Sequence, residues 1–180
     1  MQTDRSIFVL RLAVSFLLAV SLTACVASTS GMEGAQPPDR IAMSLTSWGR
    51  PVGNWSVEAN GRGTYTERVS ANYAPYGPYR LDHHEFDVGP EGFDRLWGEV
   101  AALPNPALAY QQCHNLRTDG VYGRLEVARR SETRTVAFYD GCFDPDYRAF
   151  YDRVAAIDEQ VKQWGMAQPV ARSESFNTEP

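Results

Sequence analysis

The stretch "GPEGFDRLWGEVAALP", residues 89–104, decides the fold, because the hydrophobic period changes within it. Phe93, Leu96, Trp97, Val100 and Leu103 recur at i, i+3, i+4, i+7 and i+10, which is one face of a helix. Pro90 suits the first turn, where its missing N–H costs nothing, and Pro104 ends the run. On both sides the period is two. Upstream, "RIAMSLTSW" (40–48) alternates Ile41, Met43 and Leu45 with Ala42, Ser44 and Thr46. Trp55, Val57 and Ala59 then share a face, "NGRG" supplies a hairpin turn, and Thr64, Tyr65 and Thr66 resume a strand. "YRLDHHEFDV" (79–88) reads as another strand. Downstream, Leu125 and Val127 oppose Val136 and Phe138 across a polar turn around Ser131-Glu132.

A second helix closes the domain. Asp144 can cap it, Pro145 fits its first position, and Tyr147, Phe150, Tyr151, Val154, Ile157, Val161 and Trp164 form a long apolar stripe up to Gly165. The expected fold is α+β: an antiparallel sheet of about four to five strands with two amphipathic helices on one face, in the order β-β-(β)-α-β-β-α.

The amino terminus carries an address. Arg5 and Arg11 bring positive charge, "LAVSFLLAVSL" supplies a short apolar segment, and "LTA" leads to Cys25. That is the layout of a secretory signal peptide. The apolar run is shorter than the ~20 residues a spanning helix needs. Cleavage elsewhere, or a retained anchor, are the alternatives. Leu22-Thr23-Ala24-Cys25 resembles the lipobox of bacterial lipoproteins. The resemblance implies cleavage before Cys25, diacylglycerol or palmitate-type lipid on its thiol, and an acylated new amino terminus. Val26 stands where an inner-membrane retention aspartate would be, so the resemblance implies the outer membrane, facing the periplasm. Two or more acyl chains make a durable membrane anchor, at ~0.8 kcal/mol per buried CH₂.

Removing the signal peptide, residues 1–24, leaves 156 of the 180 residues. "VASTSGMEGAQPP" (26–38) follows Cys25, so 25–38 is expected to be a flexible tether with about 20 Å of reach. Residues 39–165 are expected to be a single globular domain, and 166–180 a disordered tail without an apolar face. The signal peptide takes two arginines and one aspartate from 17 basic and 22 acidic residues, leaving a net charge of −6. That balance argues against nucleic acid as a partner.

Two cysteines remain, Cys113 and Cys142. In an exported chain such a pair is expected to be a disulfide. A metal site from Cys113, His114 and Cys142 is the alternative, without the usual C-x-x-C spacing.

The span "SLTSWGRPVGNWSVEANGRGTYT" (44–66), followed by an amphipathic helix, a hairpin and a terminal helix, resembles a family of small exported bacterial domains of unknown function. Trp48–Gly53 stands where that family carries paired cysteines.

Three stretches bear candidate sites. In "LDHHEFD" (81–87), His83, Glu85 and Asp87 share one strand face, opposite His84 and Phe86, and could hold a divalent metal or act as an acid–base pair. The bland reading is an idle polar face. In "ANYAPYGPYR" (71–80), Tyr73, Tyr76 and Tyr79 could contact sugars or peptides, or simply cover the sheet edge. Asp140, Asp144 and Asp146 hint at a cation, yet capping explains them better. Signatures of serine hydrolases, zinc proteases, P-loops and dinucleotide folds are absent from the sequence. The expectation is a non-catalytic, lipid-anchored protein of the cell envelope that binds another envelope protein or cell-wall glycan. No cofactor is expected. A metal-binding protein or metal-dependent hydrolase using His83 and Glu85 is the second expectation, and a purely structural lipoprotein the third.

Overall fold

Trp48 and Gly49 both take positive φ, 52° and 72°, the condition for a type I′ hairpin turn. They join β1 (Arg40–Ser47) to β2 (Arg50–Glu58), with Ile41 opposite Val57 and Met43 opposite Trp55. β3 (Arg62–Val69) and β4 (Tyr79–Asp87) continue the meander, and α1 (Gly89–Ala101) follows. β5 (Tyr122–Arg129) then returns to the free side of β1, and β6 (Glu132–Tyr139) pairs with β5. After α2 (Pro145–Met166), the short β7 (Arg172–Phe176) pairs with the outer side of β4. The computed structural model describes residues 37–70 and 77–177. The lipobox with Cys25, nearly all of the tether, and Tyr73 and Tyr76 lie outside them. No helix among the described residues is long and apolar enough to cross a membrane.

One sheet results, in the order β6-β5-β1-β2-β3-β4-β7, with every neighbouring pair antiparallel. Its seven strands correct the expected four to five. Of the strands not foreseen in full, one begins earlier than expected and one is new. The expected strand around Trp55 starts earlier, because a two-residue turn lets "RPVGN" pair with β1 through a bulge at Leu45/Thr46. The other is β7, which lies in the tail expected to be disordered. Its sequence "RSESF" has no apolar face, so its order comes from pairing with β4 and not from its own burial.

Alternation splits the sheet into two unlike faces. Val136, Leu125, Met43, Trp55 and Tyr65 face the helices in one row, and Ile41, Val57 and Phe86 lie in the next. Phe93, Leu96 and Val100 of α1 and Tyr147, Phe150, Val154, Ile157 and Val161 of α2 complete the buried core on that same face. Both helices thus pack on this face, and the fold is a sheet-rich α+β one. Gly165 does not stop α2, which continues through Met166. It is buried against β3, where a Cβ would stand 2.3 Å from the Tyr65 Cβ. Among the described residues the opposite face carries no α-helix.

Asp144 occupies the N-cap position of α2 without a side-chain cap bond. Its carboxylate points away, accepting the backbone N–H groups of His114 (2.8 Å) and Asn115 (2.9 Å). The expected capping aspartate thus ties the long 102–121 connection to the start of α2.

Candidate functional site

The helix-free face is densest in unusual side chains where β5 begins. Tyr122 stands there directly opposite Thr46 of β1 and Tyr139 of β6, and Arg124 opposite Ser44 and Ala137. Paired residues in an antiparallel sheet project to the same side, so these side chains form a grid on the open face. The Tyr122 ring stacks on Tyr139 with centroids 4.3 Å apart and planes 22° off parallel. Tyr139 is buried and Tyr122 is 44% exposed, so one ring is floor and the other platform.

The connection between α1 and β5 supplies the wall. Tyr110, in a single 3₁₀ turn (Tyr110–Gln112), meets Tyr122 edge-on at 6.1 Å and Tyr139 at 5.7 Å. Three residues later the Cys113–Cys142 disulfide, with Cα atoms 5.9 Å apart, bolts this segment to the β6–α2 turn. Further ties hold it. Asp140 Oδ1 accepts the Val121 N–H (2.7 Å), and the Tyr139 hydroxyl accepts the Gly120 N–H (2.9 Å) and donates to the Arg117 carbonyl. The arrangement encloses a depression of about 460 Å³ with Ser44, Thr46, Tyr110, Tyr122 and Arg124 among its lining residues. Chemically it offers an exposed ring, two hydroxyls and a guanidinium, which suit recognition better than bond making. Burial, then the backing Tyr139, push the Tyr122 phenol upward, so it stays protonated at neutral pH.

The residues singled out in the sequence have other duties. His83, Glu85 and Asp87 do share the open face, while His84 and Phe86 point to the core side. His83 Nδ1 bonds the Thr66 hydroxyl (2.9 Å), and its Nε2 lies 3.5 Å from Glu174 of β7. Burial, then the nearby Arg172, lower its pKa and favour the neutral ring. Asp87 accepts the Gly89 N–H at the start of α1 (2.9 Å). Glu85 borders a separate shallow depression on the same face. His84 is buried, with Nδ1 3.0 Å from the Gln168 carbonyl. Among the described residues these side chains do not gather into a metal-sized ligand group. The group that does is Cys113, Cys142 and Asp144, where the two sulfurs are bonded to each other and Asp144 is engaged with the loop amides. Those amides, above all that of His114, hold the Asp144 pKa below the usual carboxylate range.

Asp82 was not singled out as a site, yet it is the most strongly tied carboxylate of this strand. It accepts Arg80 Nε and Nη2 (2.6 Å each) and the Ser173 hydroxyl (2.6 Å), which pull its pKa down to about 2. Tyr79, from the tyrosine-rich stretch, stacks on Phe176 of β7 at 4.8 Å with the Arg68 guanidinium 4.7 Å from its centroid. Its ring covers the β4–β7 seam.

Tyr122 and Arg124 are not among the candidate residues read from the sequence. The signal was there in "VYGRLEV", since the alternation that sends Leu125 and Val127 inward sends Tyr122 and Arg124 outward. Tyr110 carried no such signal, because only the folded connection brings it to the strand. No family model matches the sequence, and no curated protein and no solved structure matches it.

Proposed function

We propose that this protein is a non-catalytic binding module of the bacterial envelope, tethered through lipid on Cys25, that takes a partner on the open face of its sheet. The observation that carries the binding half is the Tyr122 platform. A large ring 44% exposed on a sheet face, yet fixed from behind by Tyr139 and from the side by Tyr110, gives contact area without loss of side-chain freedom. His83, His84, Asp82 and Asp87 are engaged in holding β3, β4, β7 and the connecting loops together, which leaves Glu85 without them as partners in catalysis. The tether half rests on the lipobox resemblance of Leu22–Cys25.

Each half has its own experiment. A photo-crosslinking residue at Thr46, opposite Tyr122, should capture an envelope component in living cells, and Tyr122→Ala should abolish the capture. Equal capture by both proteins would reject the platform as the contact. Globomycin, which blocks lipoprotein signal cleavage, should cause a larger precursor to accumulate. An unchanged band would reject the lipid anchor while leaving the binding face in place.

A further inference from the structure

We infer that the depression beside Tyr122 accepts a saccharide bearing a carboxylate, with the sugar ring on Tyr122 and the acid group on Arg124; this rests on the open face being the partner site. Tyr122 can offer only one ring face, because Tyr139 stacks against the other. A single outward face of a fixed ring suits a flat, C–H-lined partner such as a pyranose. Arg124 lies two residues along the same face, so the two side chains leave the strand about 7 Å apart. That step fits a carboxylate carried on the ring that Tyr122 supports.

Charge points the same way. Arg40, Arg80, Arg148 and Arg172 are each paired with a neighbouring carboxylate. Arg124 has neither an ion pair nor a hydrogen bond among the described residues, although its exposed head borders the depression. The nearest acid on its own strand and face is Glu126, on the side of Arg124 away from Tyr122. It biases an acidic ligand toward the tyrosine end. Ser44 and Thr46 stand exposed opposite Arg124 and Tyr122, and each can both donate to and accept from ring hydroxyls.

A peptide is the weaker fit. Extended peptides gain affinity by adding a strand to a free sheet edge. β1 and β5, which carry Ser44, Thr46, Tyr122 and Arg124, are interior strands paired on both sides, whereas β6, which adds Ala137 and the buried Tyr139, is the edge strand of the sheet. The backbone groups of β1 and β5 have nothing left to offer, so recognition over Ser44, Thr46, Tyr122 and Arg124 comes from their side chains.

The test uses the full-length chain in detergent and three soluble probes: oligogalacturonate, a neutral galacto-oligosaccharide of the same length, and poly-glutamate. Calorimetry should show oligogalacturonate bound at least about tenfold more tightly than the neutral sugar, the scale of one charge-assisted hydrogen bond. Arg124→Gln should bring the acidic sugar down to the neutral one and leave the neutral one unchanged. Tyr122→Ala should remove both. Both substitutions sit on the surface, and unchanged urea midpoints would establish that the variants fold. Poly-glutamate binding as tightly as oligogalacturonate, an Arg124→Gln variant without effect, or no saccharide binding at all would overturn the inference. Were the Thr46 crosslink to persist in any of those cases, the open face would remain a partner site for something other than an acidic sugar. Loss of the crosslink as well would remove both.

Discussion

The Trp55 indole N–H donates to Asp158 Oδ1 at 2.8 Å, joining the middle of the sheet to the middle of α2. Trp55 is buried, and the carboxylate it reaches is held among Tyr65, Glu159 and Lys162. Burial pushes the Asp158 pKa up, against the smaller pull of the Trp55 bond and of Lys162. The folded state therefore holds this proton more tightly than the unfolded chain does. In the window between the unfolded value, about 3.9, and the raised folded value, stability falls as pH rises. Asp158→Asn keeps an oxygen for the indole and removes the titration. Its urea midpoint should exceed that of the wild type at about pH 7 and match it at about pH 3. A lower midpoint at neutral pH would show that the ionised carboxylate is the favourable partner.

Asp82 has the opposite sign. Arg80 and Ser173 favour its charged form and lower its pKa to about 2. The stability it confers is present above the unfolded value of about 3.9 and is lost as pH falls through about 2. Because Ser173 belongs to β7, the same bond fastens the last strand. Asp82→Ala should destabilise the domain by about 2 kcal/mol, the scale of hydrogen bonds to a charged group. Amide exchange should rise across Arg172–Phe176 before it rises elsewhere. Uniform faster exchange, with no excess in β7, would contradict the fastening role.

The disulfide closes a segment of sequence separation 29 and stands three residues from Tyr110. A double Cys113→Ser, Cys142→Ser variant should lose about 3.5 kcal/mol of stability in the chain-entropy account. The consequence for the site is more specific. Asp144, Asp140 and Tyr139 still hold parts of the connection, so Tyr110 should loosen without the sheet unfolding. Amide exchange should accelerate between residues 105 and 121 while β1, β2 and β5 stay protected. Protection retained throughout the connection would mean that its hydrogen bonds suffice without the sulfur bridge.

Most strand positions were legible because each has one wet and one dry face. Ile41 and Met43, or Leu125 and Val127, announce their strands by alternation alone, and Pro145 followed by the stripe from Tyr147 to Val161 announces α2. β7 was illegible for the complementary reason. Ser173 and Ser175 face one side and Glu174 and Phe176 the other, so neither side reads as core. Its partners Asp82 and Tyr79 lie about ninety residues away in sequence, a distance over which periodicity carries no information. The candidate site mixes the two cases. Tyr122 and Arg124 follow from the parity of β5, whereas Tyr110 reaches them only through the disulfide and the carboxylates that shape the connection. In the last hairpin Leu125 does oppose Val136, but Val127 and Phe138 do not meet. Phe138 stands opposite Gly123, with its ring in the space a side chain there would take, and Val127 opposes Arg134.

Two helical glycines in this fold should respond to the same substitution with opposite signs. Alanine is favoured over glycine inside a helix by about 1 kcal/mol. At Gly98 in α1 a new Cβ meets nothing within 4 Å, so only the helix preference acts. Gly98→Ala should stabilise the domain by about 0.5–1 kcal/mol. At Gly165 in α2 a new Cβ would stand 2.3 Å from the Tyr65 Cβ. That atom is fixed to the β3 backbone and cannot swing aside as a flexible side-chain tip could. The helix or the strand must move, and overpacking of this kind costs about 1–3 kcal/mol, enough to cancel or exceed the preference. Gly165→Ala should therefore lower the urea midpoint, whereas Gly98→Ala raises it. Were both to raise it, the contact between the end of α2 and β3 would have to be looser than the close approach of Gly165 to Tyr65 implies.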